Sequence, residues 1–258
     1  MDEAEIVARL RAAGCVFAEE EAALLLAENR AGIEQLVQRR VAGEPLEYIV
    51  GWAEFHGIHI AVDAGVFVPR RRTELLVDEA LRLAKPGDVV VDLCCGAGAI
   101  GAAMLAGMPA IDLWAADADA AAVHTARRNL PPNRVFEGDL FDALPEALLG
   151  AVDVVVVNAP YVPTTAIETM PPEARLYEHR IALDGGHDGL DLHRRIAADA
   201  GRWLVAGGYL LIETSERQAP ETAAIFGAHG MSTSTRRSAE VDGTVIVARR
   251  DQAPQPIA

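Results

Sequence analysis

Residues 88–101 read DVVVDLCCGAGAIG, an apolar run that leads through a glycine-rich loop into a helix-forming stretch. The run Asp88–Leu93 is apolar almost throughout, as is usual for a parallel strand covered on both faces. Glycine in the loop lets the backbone come close to a ligand, because no Cβ intervenes and a positive φ costs little. Gly96–Gly101 also matches the pattern G-x-G-x-x-G of dinucleotide-binding loops, but this match alone is weak evidence for a dinucleotide. The segment therefore predicts the first strand–loop–helix unit of an α/β domain, with a ligand at the loop.

Strands and helices alternate on both sides of this unit. Predicted helices cover Thr73–Ala84, 98–107, 119–129 and 189–204, and predicted strands cover 110–116, 133–137, 152–157 and 208–214. Such alternation indicates a parallel sheet with right-handed crossovers.

The C-terminal region breaks the alternation. Two further strands, Met231–Val241 and Thr244–Arg249, are joined by Asp242-Gly243, a strong hairpin signal. An antiparallel last strand on a parallel sheet is the topology of class I S-adenosylmethionine-dependent methyltransferases, whereas dinucleotide dehydrogenases have an all-parallel arrangement. The predicted fold class is therefore α/β, with a doubly wound, mostly parallel seven-stranded sheet whose last strand is antiparallel.

The first part of the chain has a different pattern. Residues 2–41 place apolar side chains at helical spacing, and Gly43-Glu44-Pro45 ends this region. Residues 53–62 alternate apolar and polar side chains around Gly57, which predicts a small β-hairpin or an extended linker. We expect a small helical domain at 1–42, a β-hairpin or linker at 43–72, a methyltransferase domain at 73–250 and a disordered tail at 251–258.

Composition excludes several classes of protein. The formal net charge is −15, which repels phosphate backbones, so a nucleic-acid partner is not expected. The basic run Arg70-Arg71-Arg72 is interpreted as a solvated face or loop. Three cysteines and seven scattered histidines fit neither a disulfide framework nor a metal site. No secretory signal and no apolar run of about 18 residues occurs, so we expect a metal-free cytoplasmic protein without a membrane span.

Acidic residues at the strand ends favour S-adenosylmethionine over a dinucleotide as the cofactor. Asp92 ends the strand before the loop, where methyltransferases place an acid that can face a methionine moiety. Asp117 ends the next strand, where a carboxylate can accept both hydroxyls of a ribose, but it would serve a dinucleotide equally well. Asp139 can reach an adenine edge and Leu140 can pack on its face, although a helix cap is the alternative for Asp139. These positions predict S-adenosylmethionine, and a tight turn without a ligand is the other interpretation.

The residues after strand 152–157 carry a second motif. Asn158-Ala159-Pro160-Tyr161 resembles the (Asn/Asp)-Pro-Pro-(Tyr/Phe) sequence of enzymes that methylate planar nitrogens. The lone pair of such a nitrogen is delocalised, so the nitrogen is a poor nucleophile. The Asn158 Oδ1 atom and the carbonyl of Ala159 can each accept one N–H and point the emerging lone pair at the methyl group. Tyr161 can stack on the planar group. A proline turn with no catalytic role is the alternative.

The match to one family runs over about residues 43–250. It includes Gly43-Glu44-Pro45, Pro69-Arg70, Thr73-Glu74, VVDLCCGAGAIG, Asp117, GDLFD, NAPYVP, ALDGGHDGLDLHRRI and GGYLLIETSERQ. The chain resembles the HemK-type protein-(glutamine-N5) methyltransferases, which methylate the glutamine of Gly-Gly-Gln in peptide-chain release factors.

The resemblance implies a set of residue roles. Cofactor contacts would fall on Cys94, Cys95, Gly96, Ala97, Gly98, Asp117, Leu140 and Asn158, and glutamine contacts on Asn158, Ala159, Pro160 and Tyr161. The helical domain at 1–42 would help to hold the release factor.

Four departures from the family pattern leave alternatives open. Cys94 and Cys95 replace the usual Gly and Thr, Ala159 replaces Pro, and Arg71-Arg72 replaces Pro-Glu, while the N-terminal region is about one helix shorter. A side chain at Cys94 could crowd the carboxylate of the cofactor. One alternative is a methyltransferase for another planar nitrogen, in a different protein, a small molecule or adenine. The other is a cofactor-binding protein without methyl transfer, either a non-catalytic paralogue or a nicotinamide-dependent oxidoreductase.

Overall fold

A computed structural model of the chain describes residues 1–28 and 32–251. The helices are α1 Glu3–Ala12, α2 Ala18–Glu28, α3 Ile33–Val41, α4 Leu46–Val50, α5 Glu74–Leu83, α6 Ala99–Gly107, α7 Ala120–Asn129, α8 Pro172–Tyr177, α9 Asp191–Trp203 and α10 Ala219–Ala228. The strands are β1 Trp52–Phe55, β2 Ile58–Ala61, β3 Val89–Leu93, β4 Asp112–Asp117, β5 Val135–Glu137, β6 Val152–Val157, β7 Leu204–Glu213, β8 Met231–Ser238 and β9 Gly243–Arg250. The predicted disordered tail lies outside the described residues, except for Asp251.

Seven strands form one sheet in the order β5-β4-β3-β6-β7-β9-β8. The contacts from β5 across to β7 are parallel, and β9 runs antiparallel to both of its neighbours. The predicted doubly wound sheet with an antiparallel last strand is therefore confirmed. Strand order reverses between β3 and β6, and open α/β sheets bind their ligands at such a switch point, beyond the carboxyl ends of the strands.

The central strands are buried on both faces. Successive side chains of a strand point to opposite sides, so Val154 and Val156 lie in one core while Val155 and Val157 lie in the other. The first core also holds buried residues of α5, α6 and α7, and the second holds buried residues of α9 and α10. Helices on both faces leave the carboxyl edge of the sheet for the loops that build the site.

The N-terminal helices form a third core of their own. Its buried residues come from α1, α2 and α3: Ile6, Leu10, Ala18, Ala22, Leu25, Ile33 and Val37. The helical region was predicted to end at Gly43-Glu44-Pro45, but Pro45 precedes one more short helix, α4. A proline before the first turn of a helix leaves no internal hydrogen bond unmade, so it starts α4 rather than ending the helical region.

The hairpin predicted for 53–62 is formed by β1 and β2, Trp52 to Ala61, and turns at His56 and Gly57. Buried hairpin side chains such as Phe55 and Ile60 pack in the same core as α5–α7. The Asn129 side chain at the end of α7 bonds both polar backbone atoms of Ala61 at 2.9 Å and the carbonyl oxygen of Ala97 at 2.8 Å. The hairpin is thereby tied to the glycine-rich loop.

Several predicted boundaries were wrong. The strand predicted at 208–214 starts at Leu204, because the backbone turns from α9 directly into β7 through a bulge. The strand predicted at 133–137 begins only at Val135, since residues 132–134 form a 3-10 turn after Pro131. The strand predicted to reach Val241 ends at Ser238. Helix α10 was missed, because its alanine-rich sequence has little helical periodicity.

Within the described ranges, we find no helix that is both long and apolar enough to cross a membrane.

Candidate active site

A cavity of about 1040 Å³ opens at the switch point. It is lined by the loops that follow β3, β4, β5 and β6, by the segment that precedes α5 and by the segment between α8 and α9. Small-molecule sites usually have volumes of about 300–1,000 Å³, so this cavity has room for a nucleoside cofactor and part of a second substrate. Among the predicted site residues all line it except Asp92 and Gly98.

The glycine-rich loop needs unusual backbone angles. Cys94 has φ 58°, Gly96 has φ 53° and Gly98 has φ 78°, all in the left-handed region. That conformation suits glycine and is unfavourable for other residues, so Cys94 is strained there. Burial raises the pKa of both the Cys94 and Cys95 thiols, so they remain neutral at physiological pH. The loop therefore presents backbone and small, uncharged side chains to the cavity.

Asp117 connects this loop to the end of β4. Its Oδ2 atom accepts the Gly96 N–H at 2.8 Å and its Oδ1 atom accepts the Asp119 N–H at 2.8 Å. Burial raises the pKa of Asp117. Each carboxylate oxygen has a second lone-pair site, so Asp117 can hold the loop and still accept hydroxyl groups from a ligand in the cavity.

Asp92 lies under the loop rather than on the cavity wall. It is fully buried, and its Oδ2 atom accepts the Gly101 N–H of α6 at 2.9 Å. Its Oδ1 atom has no hydrogen-bond partner in residues 1–28 and 32–251. Burial, with a smaller contribution from Asp117, raises the pKa of Asp92 to about 8. This placement holds the first turn of α6 and does not bring the carboxyl group to the cavity, where the sequence predicted it to face a methionine moiety.

The loop after β5 brings Asp139 and Leu140 to the cavity, as the sequence predicted. Leu140 adopts φ 49°, again a left-handed conformation. Asp139 forms an ion pair with Arg195 of α9, with the Oδ2 and Nη2 atoms 2.6 Å apart. Both side chains are more than half exposed, so the pair contributes little to stability and can rearrange around a ligand.

The segment 158–161 leaves β6 and is held from three directions. Asn158 Nδ2 donates to Thr73 Oγ1 at 3.3 Å, and the Tyr161 hydroxyl donates to Glu213 Oε1 at 3.0 Å. Gln218 Nε2 donates to the Tyr161 carbonyl at 3.0 Å. With its amide nitrogen turned to Thr73, Asn158 keeps its Oδ1 atom as an acceptor for another group.

Sequence reasoning missed Thr73, Glu213 and Gln218. All three lie inside stretches that carry the family resemblance, but no local pattern assigns them a task, because each acts on residues far away in the chain.

The basic run before α5 also has contacts that the sequence did not predict. Arg70 and Arg72 line the cavity. Arg70 forms an ion pair with the buried Glu178, and the Arg72 Nε atom lies 3.6 Å from Oε1 of Glu213. These two arginines lie beside buried carboxylates, although Arg72 is also exposed, as the prediction of a solvated loop or face implied.

Among the described residues, no group of three or more His, Cys, Asp or Glu side chains is placed to hold a metal ion.

Comparison with known proteins gives a consistent result. The family model of the methyltransferase small domain matches residues 57–174. A release factor glutamine methyltransferase of Geobacter sulfurreducens is 38% identical over 207 residues, which cover 79% of this chain and 72% of the relative. A 4-amino-L-phenylalanine/4-methylamino-L-phenylalanine methyltransferase of Streptomyces pristinaespiralis is 35% identical over 230 residues, 85% of this chain and 78% of the relative. A methyltransferase structure from Pyrococcus furiosus shares the fold, with a TM-score of 0.52 at 16% identity over 69% of this chain and 81% of that one.

The sheet order, with its reversed last strand, and these likenesses define a class I methyltransferase that depends on S-adenosylmethionine, as the sequence predicted. Within that class, the chain belongs to the release factor glutamine methyltransferase family. The family resemblance drawn from the sequence is thereby confirmed.

Proposed function

We propose that this enzyme transfers the methyl group of S-adenosylmethionine to the side-chain amide nitrogen of a glutamine in a peptide-chain release factor, within its Gly-Gly-Gln sequence. The observation that carries the proposal is that Asn158, held with its Oδ1 atom available, lines the same cavity as the glycine-rich loop. Family membership supports the substrate.

The residues present fit the cofactor. Bound S-adenosylmethionine supplies an electrophilic methyl group on a positively charged sulfur. The loop 94–97 would contact its methionine part, since a Cβ at Gly96 would meet nothing within 4 Å and the backbone there is open to the cavity. Asp117 would accept the ribose hydroxyls with its remaining lone pairs. Asp139 and Leu140 would hold the adenine.

Three groups of the segment 158–161 would prepare the nitrogen. Asn158 Oδ1 and the carbonyl of Ala159 each accept one N–H of the glutamine amide, which fixes its plane and turns the nitrogen lone pair toward the methyl group. Tyr161 forms a wall beside the planar amide. The N–C bond forms as the S–C bond breaks. The alkylated nitrogen then becomes acidic and loses a proton to solvent, so no strong base is needed.

The helices α1–α3 would help to hold the release factor. The turn between α1 and α2 exposes two apolar side chains, Val16 at 83% and Phe17 at 65% of their surface. Exposed apolar groups of this kind are suited to a protein partner. A release-factor substrate would also place the reaction in the cytoplasm.

The direct test is methylation of a purified release factor by the purified enzyme with S-adenosylmethionine. Mass spectrometry of the peptide that contains Gly-Gly-Gln should find one methyl group on the glutamine side chain. A release factor with Gln replaced by Ala at that site is the matched control and should remain unmodified. A factor that stays unmethylated while the enzyme binds the cofactor would overturn the proposed substrate.

One observation favours a second candidate, an aromatic amine. The Streptomyces pristinaespiralis relative named for amino-phenylalanine substrates aligns with 85% of this chain, more than the 79% aligned with the Geobacter relative. An aniline nitrogen is planar and would use the same acceptors at 158 and 159. The same assay with 4-amino-L-phenylalanine separates the two, because the preferred substrate has the higher kcat/KM.

A further inference from the structure

The arginines that line the cavity differ in how they are paired. Among the described residues, three of them are bonded to a carboxylate: Arg70 to Glu178, Arg180 to Asp184 and Arg195 to Asp139. The fourth, Arg72, has its Nε atom 3.6 Å from Oε1 of Glu213, which is longer than a hydrogen bond. Its side chain is 46% exposed, and its guanidinium makes no hydrogen bond in the described part of the chain. Arg72 is therefore the cavity arginine whose N–H donors remain available.

Arg72 lies beside the segment 158–161. Its neighbour in the chain, Thr73, accepts a hydrogen bond from Asn158 Nδ2 at 3.3 Å. The Tyr161 hydroxyl donates at 3.0 Å to the same Glu213 oxygen that the Arg72 Nε atom approaches. The guanidinium is therefore near the hydroxyl end of the Tyr161 ring, which the proposed function places beside the planar group of the acceptor. An acceptor whose nitrogen is held at Asn158 can extend along this ring toward Arg72.

A carboxylate is the group that best fits this guanidinium. Arginine stays protonated in proteins, and its planar fork can donate two parallel hydrogen bonds to the two oxygens of a carboxylate. A phosphate would match the fork as well, but it carries up to two charges. Carboxyl groups outnumber arginines on the cavity wall, so a doubly charged phosphate would be repelled more strongly than a carboxylate.

We propose that Arg72 is a specificity-determining residue, whose guanidinium binds a carboxylate of the methyl acceptor at the end opposite to the methylated nitrogen. The acceptor is then held at two points, by its planar nitrogen at Asn158 and the Ala159 carbonyl, and by its carboxylate at Arg72. This deepens the proposed function and rests on it for the position of the nitrogen. The carboxylate has two possible sources: an acidic side chain beside the glutamine of a protein substrate, or the α-carboxylate of a free amino acid.

The first test compares methylation of matched acceptors that differ in one charge. In the release factor, the residue after the glutamine of Gly-Gly-Gln is made either Asp or Asn. Among small molecules, 4-amino-L-phenylalanine is compared with its carboxamide. For one of these pairs, the unchanged enzyme should have a kcat/KM at least about tenfold higher for the member with the carboxylate, the scale of one charge-assisted hydrogen bond. The pair that shows the preference identifies the source of the carboxylate.

Two variants assign this preference to one residue. Arg72→Gln should reduce the preference to less than about twofold, because the amide side chain has no charge and no fork. Arg71→Gln is the matched control, since it removes the same charge from the next residue, which lines a separate hollow beside Glu54 and Glu74. It should keep the full preference. Persistence of the preference in Arg72→Gln, or its absence from both pairs in the unchanged enzyme, would overturn the inference.

A structural role of Arg72 would give a different result. If the guanidinium served only to offset the buried Glu213, Arg72→Gln would lower kcat/KM for both members of a pair by the same factor. The ratio between the two members would then be unchanged. An unchanged ratio together with a lower unfolding temperature would assign Arg72 a structural role and contradict the inference.

A binding measurement needs no methyl transfer, so its result does not depend on the reaction. With S-adenosylhomocysteine, the demethylated product of the cofactor, present in excess, calorimetry measures the affinity for the same pairs. The unchanged enzyme and Arg71→Gln should bind the carboxylate member at least about tenfold more tightly, and Arg72→Gln should bind both members about equally. Such a preference without any methylation of the release factor would contradict only the proposed substrate. Methylation of the release factor with no preference that depends on Arg72 would contradict only the inference drawn for Arg72.

Discussion

At the scale of single residues, Asp92 is an acid that β3 buries completely. Among the described residues, its side chain accepts one hydrogen bond, from the Gly101 N–H at 2.9 Å, and burial raises its pKa from 3.8 to about 8. A carboxyl group with a raised pKa in the folded protein is more stable there in its protonated form. Folding therefore binds a proton at Asp92 in the pH range between the two pKa values.

This gives a pH dependence with a definite sign. The contribution of Asp92 to the free energy of unfolding is fully present below about pH 4 and is lost as the pH rises toward about 8, by up to about 1.4 kcal/mol per pH unit. Asp92→Asn carries a neutral group of the same shape and should not lose this stability. Urea unfolding of both proteins without cofactor, between about pH 5 and pH 8, checks this. Parallel stability curves would show that Asp92 ionises freely in the folded chain.

Cys94 carries the strain of a left-handed residue, with φ 58°. That conformation costs a non-glycine residue about 1–2 kcal/mol, while glycine loses about 0.5–1 kcal/mol through its greater freedom when unfolded. Cys94→Gly should therefore raise the free energy of unfolding by about 0.5–1 kcal/mol, measured by urea titration. Cys94→Ala is the matched control, since it removes the thiol but keeps the Cβ, and should show no gain. A gain in both variants would trace the cost to the sulfur instead.

At the scale of elements, the segment between α8 and α9 packs directly against the segment 158–161. A Cβ at Gly185 would lie 2.7 Å from the Pro160 carbonyl oxygen and 2.8 Å from Tyr161 Cα. Real Cβ atoms are almost never this close to backbone atoms, so one of the two segments must move. The segment 158–161 is thus positioned by Gly185 as well as by its own Pro160.

Gly185→Ala should displace the segment 158–161 and reduce turnover at least about tenfold, because small misplacements of reacting groups are costly. Cofactor affinity, measured by calorimetry, should change less than about threefold, since the loop after β3 is untouched. Gly201→Ala within α9 is the control: a Cβ there meets nothing within 4 Å. It should leave turnover unchanged. Equal activity in both variants would mean that the segment tolerates the shift.

Local patterns in the sequence were sufficient for the elements that carry most of the site. The loop 94–97, Asp117, Asp139, Leu140 and the segment 158–161 were all predicted, and the structure places them on one cavity. Each was recognisable because strand, turn and functional residue are neighbours in the chain. Asp92 was recognised as well, but its side chain points beneath the loop, and nothing in the strand pattern showed this.

What could not be predicted depends on contacts between distant segments. Asn158 meets Thr73, and Tyr161 meets Glu213, only after distant elements have folded together, and a threonine before a helix or a glutamate at a strand end has many ordinary uses. Arg72 was assigned to solvent, as runs of charge usually are, although it lies beside the buried Glu213. Secondary-structure propensity carries no information about contacts between residues that are far apart in the chain.

At the scale of the whole molecule, Arg40 of α3 connects the N-terminal helices to the catalytic part. Its Nε atom lies 2.7 Å from Glu21 of α2, and its Nη1 atom lies 3.2 Å from Glu173 of α8. The Arg40 and Glu21 side chains are 12% and 10% exposed, so this pair is nearly dry. Removing one partner from such a pair leaves a buried charge without compensation.

Arg40→Met should therefore lower the free energy of unfolding by about 2–3 kcal/mol, a little less than the loss from a fully buried pair. Arg9→Met is the matched control. It removes the 3.0 Å pair with Glu34, whose side chains are 32% and 57% exposed. That change should cost at most about 1 kcal/mol. Equal losses in denaturant titrations would show that the burial of Arg40 adds nothing, and that the N-terminal helices are held by their apolar core alone.

The role proposed for Asn158 and the carbonyl of Ala159 is to orient the methyl acceptor. The measurement that tests it most directly compares Asn158→Ala with Ala159→Pro, by the rate of release-factor methylation in mass spectrometry. Asn158→Ala should cut turnover by about 10²–10³ and leave cofactor affinity within a few-fold, the scale of one lost preorganised contact. Ala159→Pro keeps the carbonyl and should be tolerated or slightly activating. Equal losses in both variants, or full activity in Asn158→Ala, would contradict the claim.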